Sequence, residues 1–287
     1  MIPFIRYRYF FVLFSSVLLI LGVLHIVKYG FNYSIDFVGG TTVEFLLKQK
    51  ALLVKARKIA SQNKFIFRET GSGFLVRRKE INKELQNKIS LKMKKEIAAK
   101  QVRIERVNPS MSSDNVVKTL AAVGIAAAGI LLYISYSFRN VRYAIAALIA
   151  LFHDTGMLLC AWSVLGRFFG AEFDLLFITA LLTTMSFSVH DTIIIFDKIA
   201  EEQKNGSYNS LEETVNAALT LTIGRSFNNS FTVVIMLTAM ILLGGETIRW
   251  FATALLLGTL FGTYSSPFIA TPLFYFLKEG FATQKPV

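Results

Sequence analysis

Six apolar runs, each long enough to cross a bilayer, dominate this chain. They lie at about 9–27, 116–136, 142–164, 174–197, 226–243 and 249–277. Hydrocarbon offers backbone amides no water, so such runs must close their hydrogen bonds internally, as helices. The expected fold class is an α-helical polytopic membrane protein, with a first span at 9–27 and a five-helix block over 116–277. Composition agrees: 53% of the 287 residues are hydrophobic and 26 are Phe. Lys28-Tyr29-Gly30-Phe31 follows the first run in place of a small-residue cleavage pattern, so the run reads as a retained span. An even number of spans puts both termini, 1–8 and 278–287, on one side.

Ionisable residues interrupt these runs. The stretch Leu175 to Phe196 is apolar almost throughout, yet it contains His190 and Asp191. A carboxylate inside a span costs roughly 2.5–3.5 kcal/mol on insertion scales, so a proton relay, an ion pair or a water cavity is expected around it. Helical spacing sets Thr184, Ser188, Asp191 and Ile195 near one stripe, a polar track with Asp191 roughly 9 Å from the cytoplasmic end. A carboxylate that alternates between apolar and charged surroundings can load and release a proton. An Asp locked in a permanent ion pair or hydrogen bond is the alternative. Arg225, at the mouth of the fifth run, is the natural cation for Asp191, or else a positive anchor at a helix end. His153 and Asp154 interrupt the third run, as a secondary relay or as packing residues.

Basic residues in the short loops orient the chain. One side carries Arg6, Arg8, Arg139, Arg142, Lys198, Lys204, Arg225, Lys278 and Lys285; the other carries Arg167 and Arg249. By the positive-inside rule the termini are cytoplasmic and residues 28–115 face out. That insertion holds 19 of the 31 Lys and Arg and 8 of the 19 Asp and Glu, so nearly all of the net charge of +12 belongs to it. A charge so confined reads as a solvated surface, with anionic lipid headgroups or a partner as other takers, rather than as a nucleic-acid site. Within the insertion, Thr41–Lys48, Phe65–Arg68, Phe74–Arg77 and Gln101–Val107 read as strands. Ala51–Gln62 and Glu80–Lys100 read as helices, and Thr70-Gly71-Ser72-Gly73 as a hairpin turn. The order β-α-β-β-α-β is that of a ferredoxin-like α+β domain. Asp36-Phe37-Val38-Gly39-Gly40 leads into it, the glycines permitting a tight turn with φ > 0.

The loop 198–225 contains Ser210-Leu211-Glu212-Glu213, a capping-box start to an amphipathic helix that is expected to lie along the membrane surface before Arg225. On the last run, Ala254, Gly258, Gly262 and Ser266 form a small-residue stripe suited to helix packing, and Pro267 and Pro272 kink or end that helix. One cysteine, Cys160, excludes an intrachain disulfide, and three scattered histidines offer no metal cluster. No P-loop or nucleophile elbow is present, so no cofactor and no covalent chemistry are expected.

Several motifs in order resemble the SecF type of the SecD/SecF family of bacterial protein-export membrane proteins, over about residues 32–277. Ile35-Asp36-Phe37-Val38-Gly39-Gly40-Thr41 is similar to that family's DFxGG element. Ser188-Val189-His190-Asp191-Thr192, running to Phe196-Asp197-Lys198-Ile199, is similar to its YSxNDTxxxFDRI signature. Ile223-Gly224-Arg225-Ser226 stands at its SRT element, and Gly262-Thr263-Tyr264-Ser265-Ser266 with Ile269-Ala270-Thr271-Pro272 resembles its GTYSS…IASP ending. His153-Asp154 and Glu172-Phe173-Asp174-Leu175 also fit. The resemblance implies half of an RND-type transporter fold in the bacterial inner membrane, with 28–115 periplasmic. It implies SecD as partner, the SecYEG translocon and YajC as associates, and a translocating preprotein as cargo. Proton-motive force would then complete export after the ATPase motor SecA. It makes Asp191 the proton-conducting aspartate and Arg225 the membrane arginine. His190 stands where the family usually has Asn, Phe187 where Tyr is common, and Asn229 where Thr is frequent. The rival readings are a passive structural subunit and half of an efflux transporter. A single six-span half with a single outer domain counts against the latter.

Overall fold

The computed structural model describes residues 3–47, 50–63, 65–70, 73–78 and 83–282. The expected hairpin residues Gly71 and Ser72, the strand end Lys48, the helix start Glu80 and the terminal Lys285 lie outside the described residues. The chain divides into two compact units, one of Met1–Phe31, Ala121–Ala171 and Leu176–Val287, the other of Asn32–Leu120 with Glu172–Leu175.

The first unit is helical. Helix α1 spans Arg8–Tyr29. After the second unit's α2 (Ile35–Val38), β1 (Gly40–Leu46), α3 (Leu53–Gln62), β2 (Ile66–Thr70), β3 (Gly73–Arg78), α4 (Lys83–Ile97) and β4 (Lys100–Val107), the helices resume. They are α5 (Pro109–Phe138), α6 (Val141–Phe168), α7 (Leu175–Asn205), α8 (Leu211–Leu243), α9 (Glu246–Ser265) and α10 (Thr271–Ala282). Among the described residues five helices are long and apolar enough to cross a membrane: Phe4–Tyr29, Met111–Phe138, Val141–Phe168, Leu175–Asn205 and Leu211–Leu243. The sixth apolar run is helical throughout but not α-helical throughout. A π-helical turn, Ser266–Ala270, separates α9 from α10. Pro267 lies in that turn; a ring without an N–H cannot continue the α-helical ladder.

Burial sorts these helices. Half or more of the apolar window is buried in α6 (50%) and α7 (56%), against 11% for the first span and 6% for the second. The outer two keep their apolar side chains exposed, as helices facing lipid or a partner do. The expected surface helix before Arg225 is instead the first part of α8, which runs unbroken from Leu211 to Leu243. Its sequence has no proline, and the one glycine, Gly224, does not interrupt it. The N-terminus is capped as anticipated: Ser210 Oγ accepts from Glu213 N–H (3.1 Å), and Glu213 reaches back to Asn209 N–H (3.2 Å).

The second unit is a four-stranded antiparallel sheet in the order β2-β3-β1-β4. Alternation drives it: Val43 and Phe45 on β1 and Phe74 and Val76 on β3 are fully buried. They meet Ala56, Ile59, Ile89 and Met93 of α3 and α4 in one core. Phe74 stacks on both Phe45 and Phe67, each at 5.2 Å. Burying each such ring contributes about 2–3 kcal/mol. Gly39 (φ 69°) and Gly40 (φ 132°) take backbone angles that side chains disfavour and turn the chain into β1.

Candidate functional site

Three carboxylates are buried among the helices of the first unit; Glu202, toward the end of α7, is paired with Lys198, and the surroundings of the other two differ. Asp154 of α6 is 6% exposed and fully engaged. Its Oδ2 accepts from Ser188 Oγ of α7 and Ser265 Oγ of α9, both at 2.5 Å. His153 Nδ1 lies 2.8 Å from Asp154 Oδ1, so the ring N–H donates there. His153 Nε2 bonds Ser15 Oγ, which belongs to α1 and is that helix's one buried residue. The His153–Asp154 pair thus joins α1, α6, α7 and α9 through hydrogen bonds that leave neither carboxylate oxygen idle. Such a network satisfies every buried polar group it contains, which is the condition for its stability in a low dielectric.

Asp191 of α7 is 5% exposed and only half engaged. Its Oδ2 accepts from Ser226 Oγ of α8 at 3.0 Å, whereas the buried Oδ1 has no hydrogen-bond partner among the described residues. Arg225 precedes Ser226 on α8 and is exposed. Among the described residues no ion pair joins it to Asp191. His190 and Asn229 are also exposed, yet both line a cavity of about 20 Å³ together with Asp191 and Ser188. The sequence-derived group Ser188, His190, Asp191 and Asn229 is therefore gathered around one small space, with Arg225 outside its lining.

Close helix packing makes this possible. A Cβ added at Gly258 would collide with the Thr184 side chain, and one at Gly262 would meet Ser188 Cβ at 2.9 Å and its Cα at 3.0 Å. The small-residue stripe of α9 therefore lies directly against the polar track of α7. Ala254 and Ser266 of the stripe are completely buried, and Ser266 Oγ bonds Thr192 Oγ1 at 2.9 Å. Ser15, Ser226 and Ser265 take part in these contacts and were given no role of their own by sequence reasoning. Each is a small polar residue on an apolar helix; that is a signal, but its partner sits on another helix and no spacing rule pairs them.

Asp36 lies in the second unit. Its Oδ2 accepts from Ser34 Oγ (3.1 Å) and from the backbone N–H of Leu175 (3.3 Å), the first residue of α7. Phe37 rests edge-on against Phe173 at 5.4 Å. Glu172 bonds Arg68 of β2 and lies 3.9 Å from Arg77 of β3. Its carboxyl is pushed up by burial, with Arg68 and then Arg77 opposing. Residues 172–175 thus belong with the sheet of the second unit.

Apolar helices with buried ionisable groups between them, together with a separate α+β unit, define a polytopic membrane protein of the transport class. The match to a family model described as "Protein export membrane protein SecD/SecF, C-terminal" covers residues 86–280, and one described as "SecD/SecF GG Motif" covers residues 26–51. A protein translocase subunit SecF from Thermobaculum terrenum is 35% identical over 95% of this chain and 93% of its own length. Its counterpart from Anaerolinea thermophila is 34% identical, with the same coverage. The crystal structure of SecDF, a translocon-associated membrane protein from Thermus thermophilus, superposes with a TM-score of 0.89 at 27% identity. That match covers 96% of this chain and 38% of the longer SecDF chain. The chain belongs to the SecD/SecF family of protein-export membrane proteins, and its full-length relatives are SecF subunits.

Proposed function

We propose that this chain works as the SecF half of a proton-driven export motor in the bacterial inner membrane. Paired with SecD beside the SecYEG translocon, with YajC as an accessory, it would draw on the proton-motive force to complete preprotein translocation. The sixth span in this reading is α9, the π-helical turn and α10 taken together, the strand order is that of a ferredoxin-like domain, and the termini are cytoplasmic with 28–115 periplasmic. The supporting observation is the contrast between the two carboxylates. Asp154 is held by three partners and has the character of a packing node. Asp191 is buried with one oxygen uncommitted, the state expected of a group that must accept and release a proton. Arg225, next to Asp191's partner Ser226, is the cation available to the deprotonated carboxylate. The occurrence of SecD and SecF sequences in one Thermus thermophilus chain supports the pairing.

Asp191→Asn tests the reading, because it keeps size and hydrogen bonding but removes the titration. Reconstituted with its partner, the variant should assemble normally and lose both proton flux and export assistance. Arg225→Met should also inactivate without loss of assembly. A passive structural subunit would behave otherwise, the assembled fraction of either variant working normally. Wild-type flux from assembled Asp191→Asn removes Asp191 from the mechanism.

A further inference from the structure

Two buried polar atoms near one water-sized space have no hydrogen-bond partner among the described residues: Asp191 Oδ1 and Thr259 Oγ1. Both residues line the cavity of about 20 Å³, which exceeds the roughly 10–15 Å³ one water requires. Of the other hydroxyls on its wall, Ser188 Oγ donates to Asp154 and Thr263 Oγ1 lies within reach of both Ser230 Oγ (2.6 Å) and the Thr259 carbonyl (2.8 Å), so the Ser230 O–H remains a further donor facing Asp191. An acceptor and a hydroxyl left over at the same small polar void are what a single bridging water satisfies. The wall also carries His190 and Asn229, which reach the surface of the chain.

We infer that Asp191 Oδ1 and Thr259 Oγ1 hold one water, and that His190 exchanges protons with Asp191 through it. The inference rests on the proton-carrier reading of Asp191. In the loading step the imidazolium gives its proton to the water oxygen while the water gives one of its own to Asp191 Oδ1. The imidazole and the carboxyl end neutral, and the water is regenerated. Release runs the same transfers backward. Thr259 is a positioning residue: its hydroxyl fixes the water and touches no other part of the path. Among the residues lining the cavity from α7, α8 and α9, the ionisable ones are His190 and Asp191. Arg225 lies outside the lining, one turn before Asn229.

The experiment uses the full chain assembled with its SecD partner in proteoliposomes containing a pH-sensitive dye, at a fixed membrane potential. Thr259→Val keeps shape and removes the hydroxyl. It should lower proton flux about tenfold, and Thr259→Ser should restore it. Infrared difference spectra should show the protonated Asp191 carbonyl band, identified by its loss in Asp191→Asn, displaced in Thr259→Val. His190→Asn, whose amide cannot relay a proton, should also lower proton flux about tenfold. Unaltered flux and carbonyl band in Thr259→Val overturn the bridging water. Wild-type flux in His190→Asn overturns the exchange step, and decides the matter if Thr259→Val fails to assemble. If Asp191→Asn itself carries wild-type flux, the underlying reading fails. If Asp191→Asn is inactive while the Thr259 and His190 variants are unaffected, only this inference falls.

Discussion

Replacing Asp154 by Ala should break the helix bundle from inside. The substitution removes the acceptor for three donors at once: Ser188 Oγ, Ser265 Oγ and the His153 ring. A buried donor without an acceptor costs about 1–3 kcal/mol. Ser265 has an alternative, since its hydroxyl already lies 3.3 Å from the carbonyl of Gly262 and can turn to it. Ser188 and His153 remain, with a small cavity besides, and the expected loss is about 3–5 kcal/mol. Asp154→Asn keeps one oxygen but turns an N–H₂ group toward a donor, so it should lose about 1–2 kcal/mol. Unfolding of the purified protein in mixed micelles, titrated with denaturing detergent and followed by circular dichroism, measures both. If the hydrogen bonds are the cause, Asp154→Ala and Ser188→Ala combined will lose less than the sum of the single losses. An Asp154→Ala protein within about 1 kcal/mol of the parent would refute the argument, as would full additivity with Ser188→Ala.

Gly262→Leu should reduce assembled protein strongly, because its Cβ already meets the backbone of Ser188 at 3.0 Å and overpacking costs about 1–3 kcal/mol or more. Gly129→Leu, with nothing within 4 Å of its added Cβ, is the control and should assemble normally in the same membrane preparations. Glu172 gives a pH signature. Its folded pKa is raised above the unfolded value of about 4.3, so its contribution to stability is fully present below that value and is lost as pH rises through the folded pKa. The protection factors at Phe173 and along β2 in the full chain, that is, exchange corrected for the intrinsic pH dependence of amide exchange, should therefore be higher at acid than at neutral pH. Glu172→Gln should reduce that difference, and an unchanged difference would assign it to another group.

Local sequence pattern was enough to specify the elements. Apolar length dictates membrane helices whatever their neighbours, and period-two alternation dictates strands, because both express the chain's own backbone geometry. The four strands and two helices of the second unit, the Ser210 cap and the five long helices were legible for this reason. Asp191 and Asp154 were legible as exceptions, since a carboxylate on an apolar helix is conspicuous at any position. Which of the two is held and which is left with a free oxygen was not legible. That depends on Ser188, Ser226 and Ser265 arriving from three different helices, and hydroxyls at separations of 34 to 111 residues carry no local sign of their partner. The joining of Glu172–Leu175 to the second unit, the unbroken α8 and the π-helical turn at Ser266–Ala270 were likewise decided in three dimensions. Each turns on where one segment rests against another, and such contacts exist only once the helices have packed.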